Sequence, residues 1–445
     1  MEPHWQREKW HKAEQASDLR TYRLPVRCRC RKQSERYQDV IIREPIEGRP
    51  QRTSGSGSLV RARTVSAADI SARDVQAWSA LEADALEPNA YMSPHFVLPA
   101  LRHLDPTLRA SIVLISRTGV GAEQLAAVAV VCRAAATRLL PVPHLSAYSS
   151  RHTYLGTPLL LRQDAASSAN GLLDELARHL WSAAGLVLPS IDRDGAVAAA
   201  FSEALKARGL SLHSTRVRQR AMLYPRAAGP EAIKLALGKK FNDLERQRRR
   251  LSEIGNPEWV IHRHAVGDDV VESFLRLEHA GWKGRDGTSL RSSKADESFF
   301  REMVAGFAKH GQAMFTELRL NGQPIASTSN FVSAGQGFAF KLGWDEAYRK
   351  YGVGVLNEVE LVRQAPVVCA DLSSIDSGAA PDSFIESLWP QRRNLATAFL
   401  PFSAAGQLAW RAMQGMRSLR AAARKPRSST RTPPSDTESA ARGDT

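Results

Sequence analysis

Among 445 residues, the stretch best equipped for chemistry is Asp345-Glu-Ala-Tyr-Arg349-Lys-Tyr-Gly352-Val-Gly354-Val-Leu. Glycines at 352 and 354 let backbone N–H groups turn inward and let a ligand approach where a Cβ would stand. The periodic run from Val355 to Gln364 predicts a helix directly after them. Its unpaired first-turn N–H groups and positive dipole end then face the same spot. Such a loop suits a pyrophosphate, and Arg349 is close enough to add a full charge. Other constellations are poorer. His262 and His264 flank Arg263 on an alternating segment and share a face, but with no carboxylate at ligand spacing no metal site is expected. Cys28-Arg-Cys30 is too tightly spaced for zinc and Cys132 and Cys369 stand alone, a usage expected of free thiols in a reducing cytoplasm.

The elements around the loop read as alternating strands and helices. Upstream, Ile112–Ile115, Leu125–Cys132 and Leu186–Leu188 predict strands, the last closed by Pro189, and Gly171–Ala184 and Val197–Ala207 predict helices. Gly229-Pro230 marks a junction, after which Glu231–Ile254 reads as one long basic helix ended by Gly255-Asn256-Pro257. Trp259–His264 alternates as a strand, and helices are predicted over Val270–His279 and Ser298–His310. Met314–Leu320 and Pro324–Phe331 form a hairpin through Asn321-Gly322, Gly337–Trp344 is the strand feeding the glycine loop, and Val367–Leu372 is the strand after its helix. The order implies a mixed α/β sheet.

Charge excludes less than it first suggests. The chain carries a formal +15, but residues 1–58 and 411–445 each hold a net +5, leaving +5 for the middle. The tails are read as flexible and basic, with Thr53-Ser-Gly-Ser-Gly-Ser58 closing the first. No apolar run reaches the roughly 18–20 residues that span a bilayer, and the charged start lacks a secretory signal's apolar stretch. Charges circle the segment 239–250, with Asp243 and Glu245 among them and no aromatic ladder, so a nucleic-acid partner is not expected. Leu408–Leu419 mixes apolar and basic residues and reads either as a terminal helix packed on the domain or as one lying on an anionic inner membrane.

The loop and its setting resemble the GNAT acyltransferase superfamily, whose acyl-CoA pyrophosphate loop reads Gln/Arg-x-x-Gly-x-Gly/Ala between a strand and a helix. Residues 230–400 resemble the CelD/BcsL group of acetyltransferase-like proteins, associated with cellulose and exopolysaccharide clusters. The resemblance rests on Lys239-Lys240 with Arg248-Arg249-Arg250-Leu251, and on Leu277-Glu278-x-x-Gly281-Trp282-Lys283-Gly284. It also rests on Leu320-Asn-Gly-Gln-Pro-Ile-Ala326 and on Lys341-Leu-x-x-Asp345-Glu346-x-Tyr348. Ser93-Pro94-His95-Phe96 and Tyr154-Leu-Gly156-Thr-Pro158 are similar to the opening of the same group's chain.

The resemblance implies two tandem GNAT-like units of α/β (α+β) class, each a mixed, mostly antiparallel sheet flanked by helices, as in FemABX-type proteins. The expected divisions are a basic extension over 1–58, a degenerate unit over 59–228, an acyltransferase unit over 229–405 and a basic helix and tail over 406–445. Acetyl-CoA or another acyl-CoA is implied as co-substrate, held at Arg349, Tyr351, Gly352, Val353, Gly354 and Val355. The implied reaction is N-acyl transfer to a small-molecule or carbohydrate amine, on an amino sugar or sugar nucleotide, by a cytoplasmic protein peripheral to the inner membrane or a polysaccharide synthase. The amine must be neutral to attack, so a carboxylate base is sought, with Glu278, Asp371 and Asp376 as candidates. Trp282, Lys283 and Lys341 are the expected substrate contacts, for an anionic or sugar acceptor. Two alternatives stay open: a FemABX-type aminoacyltransferase using charged tRNA, and a catalytically silent scaffold.

Overall fold

A computed structural model describes residues 51–52, 59–118, 123–134, 142–179, 183–263 and 265–424. The expectations for Cys28, Cys30, His264, most of the basic extension and the end of the basic tail lie outside the described residues. The first half runs β1 (Gln51–Arg52), β2 (Leu59–Val65), α1 (Ala72–Ala83), α2 (Pro94–Pro99), β3 (Ala110–Thr118), β4 (Glu123–Ala134), β5 (His144–Ala147) and β6 (Leu159–Leu160). It continues through α3 (Ala165–His179), β7 (Gly185–Asp192), α4 (Ala196–Lys206) and β8 (His213–Leu223). The second half runs α5 (Pro230–Leu237), α6 (Lys240–Ser252), β9 (Pro257–Arg263), α7 (Asp268–Ala280), α8 (Trp282–Arg285), α9 (Lys294–Lys309), β10 (Ala313–Leu320) and β11 (Gln323–Ser333). It ends with β12 (Gln336–Trp344), α10 (Val353–Val368), β13 (Ile375–Asp376), β14 (Gln391–Pro401) and α11 (Ala404–Arg424).

All the strands join one mixed sheet in the order β1-β2-β3-β4-β5-β7-β14-β8-β13-β12-β11-β10-β9, with β6 beside β4. The two halves follow one plan. An antiparallel set, β2 to β5 or β9 to β12, is followed by a helical crossover into a parallel neighbour, β5 with β7 or β12 with β13. Their last strands are exchanged: β14 pairs β7 of the first half, β8 pairs β13 of the second, and β8 and β14 pair each other. The halves also share a core. Trp78, Tyr91 and Phe96 pack with Phe274, Phe299, Phe300, Phe307, Phe315, Phe331, Phe338 and Phe340 on one face of the sheet. Burying a phenylalanine contributes about 2–3 kcal/mol, so this aromatic layer binds the halves strongly. On the opposite face, α5, α6 and α10 cover the second half through Leu244, Leu251, Val355, Val359 and Val362.

Several expectations change. The long basic helix is two, because Gly238 at φ 52° breaks it between α5 and α6. Pro189 does not close its strand; β7 continues to Asp192. Val367–Leu372 is not a strand but the end of α10 and a turn, and the parallel partner of β12 is the two-residue β13. The Asn321-Gly322 hairpin forms as expected, with both residues at positive φ, 51° and 79°. No described helix is long and apolar enough to cross a membrane. The terminal helix buries Trp410 and Met413, with Trp410 stacked on Phe399 at 4.6 Å, and leaves Leu408 and Met416 exposed.

Candidate functional site

The glycine loop is built by a tight turn that ends in a left-handed residue. Asp345 accepts a hydrogen bond from the Ala347 amide at 2.9 Å, opening a 3-10 turn over Glu346–Tyr351. Gly352 follows at φ 64°, ψ 37°, a conformation glycine adopts without strain, and α10 begins at Val353. The first intrahelical bond runs from the Leu356 amide to the Gly352 carbonyl at 3.0 Å, and no side chain caps the helix. The amides of Val353, Gly354 and Val355 therefore point out of the helix start with no intrahelical acceptor. Arg349 and Lys350 are exposed on the turn, and α6 with its basic residues packs beside it. Part of α6's charge is spent locally, Arg246 on Asp243 at 3.2 Å and Arg248 on Glu245 at 3.1 Å.

The residues expected to hold a coenzyme divide by role. Tyr351, Val353 and Val355 put their side chains into the core, so only their backbone can serve a ligand. Gly354 lies against the sheet: a Cβ there would meet the Trp344 ring at 3.2 Å and Leu342 at 3.5 Å. Its missing side chain lets α10 seat on β12, a different reason from the one the sequence suggested. Glu346 is no repulsive charge at this mouth. It accepts from both arms of Arg285 at 2.7 and 2.9 Å and from the Trp282 amide at 2.9 Å, and Arg285 holds its carboxyl below the usual range. These bonds fasten α8 to the loop.

Beside the loop the sheet opens. The parallel register of β12 with β13 covers only Gly337 with Ile375 and Phe338 with Asp376. From Ala339 to Trp344, β12 has β11 on one side and side chains on the other. The Tyr91 hydroxyl donates to the Ala339 carbonyl at 3.4 Å, and the Lys283 ammonium to the Leu342 carbonyl at 2.9 Å. Gly378, just past β13, comes so close that a Cβ would stand 2.6 Å from the Ala339 carbonyl oxygen and 2.9 Å from the Tyr154 ring.

The three carboxylate candidates separate cleanly. Glu278 is buried on α7, directly over Gly343 of β12, where a Cβ would meet its backbone nitrogen at 2.5 Å. One carboxylate oxygen accepts from the Leu290 amide at 2.8 Å; the other accepts no hydrogen bond and has Lys283 at 4.0 Å. Asp371 stands away from the glycine loop. It lies beside Gly335, at the end of β12 away from the glycine loop, and its exposed carboxylate forms a two-pronged ion pair with Arg263 at 2.7 and 2.8 Å. The nine residues of β12, about 26 Å from end to end, separate Asp371 from that loop. Asp376 is a structural charge. Burial pushes its pKa up, but Arg220 and Arg393, at 3.5 and 2.9 Å, and the Gly378 amide outweigh it and keep it ionised.

Of the expected substrate contacts, Trp282 is half-buried with the Lys283 ammonium 5.9 Å from its ring centre, and Lys341 lies over Phe340 at 5.7 Å. Sequence reasoning missed what faces them from the first half. Tyr154 packs on Phe340 at 5.8 Å and on Tyr91 at 5.3 Å. His152 stacks on Phe299 and bonds Asp296 at 2.7 Å. Burial pushes the Tyr154 phenol up to about 12, against the pull of Lys283 and Arg220 and with the push of Glu278, so these four groups share one neighbourhood. Nothing in residue spacing marks Tyr154 for this place; only the family-like Tyr154-Leu-Gly156-Thr-Pro158 stretch touches it. His262 is occupied with Glu317 at 3.1 Å. A surface depression lined by Asp268, Asp269, Glu272 and Arg301 sits at the far end of α7 from Glu278, about 15 Å along the helix, and its Arg301 is paired with Glu272 and Glu297.

Comparison with known proteins bears on the second half. No curated protein matches the chain. Among solved structures, a conserved protein of unknown function from Bacteroides thetaiotaomicron is 13% identical, covering 75% of this chain and 98% of that one at a TM-score of 0.49. FemX is 9% identical, over 77% of this chain and 96% of its own, also at 0.49. A tandem GNAT protein from the clavulanic acid biosynthesis pathway is 14% identical, over 76% and 97%, at 0.36. Residues 238–384, which hold β9 to β13, Glu278 and the glycine loop, match the family described as acetyltransferase (GNAT) domain.

Proposed function

We propose that the chain transfers an acyl group, acetyl from acetyl-CoA, to the amine of a small-molecule or carbohydrate acceptor. The observation that carries this reading is the course of β12: it parts from β13 after Phe338 and runs into a helix start whose first amides lack acceptors. The residues fit an acyl-CoA. The Val353, Gly354 and Val355 amides would hold its pyrophosphate, with Arg349 and Lys350 adding charge. Bound there, acyl-CoA supplies an acyl group already activated as a thioester. Glu278 is the carboxylate left to take the proton of the attacking amine through its oxygen that accepts no hydrogen bond. The new bond joins amine nitrogen to the acyl carbon, the carbon–sulfur bond breaks, and the electron pair leaves on sulfur. An acceptor of the amino-sugar or sugar-nucleotide class is favoured by the sequence resemblance. The test is release of free thiol from acetyl-CoA with a panel of amino sugars, amino acids and polyamines. Turnover with at least one amine, reduced about 10²–10⁴-fold in Glu278→Gln, is expected. No thiol release with any amine would overturn the reading.

A further inference from the structure

The wall that the first half presents to β12 carries chemistry the transfer step leaves unused. Around Phe340 the charged groups pair off. Glu278 has Lys283 at 4.0 Å, Asp376 has Arg220 and shares Arg393 with Asp192, and Asp296 takes both Arg151 and His152 at 2.7 Å. Lys341 breaks the pattern. Among the described residues its ammonium has no carboxylate, only the Phe340 ring. It is half-buried on β12, two residues from the glycine that α7 covers. Burial, followed by the charge of Lys341, pushes His152 down to about 4, which keeps the imidazole neutral near pH 7 and leaves the excess at one positive charge. Tyr154 stands against the same Phe340 ring, half-buried, and its hydroxyl has no hydrogen-bond partner among the described residues. A cation partly withdrawn from water without a counter-ion is costly, and a bound anion offsets that cost.

We propose that Lys341 and Tyr154 hold an anionic group on the acceptor, a carboxylate or a phosphate, so that the substrate is an acidic amine chosen partly by the first half of the chain. The amine's role rests on the acyl-transfer reading; the anion site does not. Lys341 supplies a point charge that suits either oxyanion, and the Tyr154 hydroxyl donates a second bond. Lys283, the sequence's other candidate for this task, is committed to the Leu342 carbonyl and to Glu278.

Two measurements on the full-length protein decide the matter. The first is thermal unfolding with inorganic phosphate, glucosamine 6-phosphate or aspartate at matched ionic strength, with sodium chloride as control. At least one of these anions is expected to raise the melting temperature of the wild type; the rise disappears in Lys341→Met and returns in Lys341→Arg. The second is kcat/KM for glucosamine 6-phosphate against glucosamine, and for aspartate against its diamide. Preference for the acidic member of one pair is expected, identifying phosphate or carboxylate, and it falls at least 30-fold in Lys341→Met and about 5-fold in Tyr154→Phe. Equal use of acidic and neutral amines, or an undiminished preference in Lys341→Met, overturns the proposal. If no amine is acylated the transfer reading fails, and the anion site is judged by the unfolding measurement: no stabilisation of wild type, or stabilisation kept in Lys341→Met, overturns it.

Discussion

Replacing Asp376 by Asn separates a structural charge from a catalytic one. The carboxylate is 1% exposed, at the meeting point of β13, β8 and β14. It accepts from Arg393 at 2.9 Å and the Gly378 amide at 2.8 Å, with Arg220 at 3.5 Å. Asparagine keeps an acceptor for the Gly378 amide but removes the charge. Arg393 still has Asp192 at 2.8 Å; Arg220, with its side chain 4% exposed, loses the one carboxylate it is paired with. Leaving such a guanidinium without a counter-ion costs about 3–5 kcal/mol. Urea unfolding at pH 7 is expected to show that loss. The pH dependence adds a second check. Burial raises the Asp376 pKa, but the two guanidiniums bring it below the ordinary 3.8, so on acidification the unfolded chain takes up the proton first. The stabilisation is therefore complete above about pH 4 and is lost as pH falls through the lower folded value, and wild type and variant should converge in acid. A loss under about 1 kcal/mol at pH 7, or a gap that persists in acid, would refute the reasoning.

Three further outcomes follow from the same geometry. Gly343→Ala puts a methyl 2.5 Å from the Glu278 nitrogen and 2.8 Å from its Cα, so α7 must move off β12; urea titration should show a loss of about 1–3 kcal/mol, and thiol release should fall with the displaced carboxylate. Asp371→Asn removes an ion pair whose carboxylate is 61% exposed, so its effect on the urea midpoint should correspond to no more than about 1 kcal/mol and thiol release should be unaffected. Burial raises Glu82 and Glu358 from 4.5 to about 7, so the unfolded chain releases these protons first; stability should fall as pH rises from 4.5 to 7, by on the order of 3 kcal/mol per group, and Glu358→Gln should flatten its share of that slope.

Local signals in the sequence account for the path of β12 and its loop. The Asn321-Gly322 hairpin, the alternating strands and the helix after two glycines each follow from residues adjacent in the chain. The parallel partner of β12 was misplaced because Val367 and Val368, β-branched residues that favour strands, sit in the last turn of α10, where tertiary packing overrides propensity. The place expected for Asp371 rested on the same strand, which would have carried its carboxylate to the glycine-loop end of the sheet rather than beside Gly335. β14 carries no apolar signal at its start, because QRRNLATAFLP begins with a glutamine and two arginines, of which Arg393 faces Asp192 and Asp376 while Arg392 is exposed. Tyr154 and His152 could not be foreseen: they reach Phe340 across nearly 190 positions, through an aromatic core shared by both halves. The +15 charge gave little guidance, because two-thirds of it lies in the two ends of the chain and part of the basic surface of α6 is paired locally.

The central claim is that the glycine loop holds an acyl-CoA pyrophosphate, and a matched pair of substitutions tests it. Asparagine and aspartate both tolerate the left-handed conformation of Gly352, and both can cap α10, so each should fold. They differ by one negative charge at the helix start, worth about 3 kcal/mol against a phosphate charge roughly 5 Å away at an effective dielectric of about 20. Isothermal titration should show acetyl-CoA binding to wild type and to Gly352→Asn, and binding at least about 100-fold weaker in Gly352→Asp. No binding to wild type, or equal affinity in the two variants, would contradict the account.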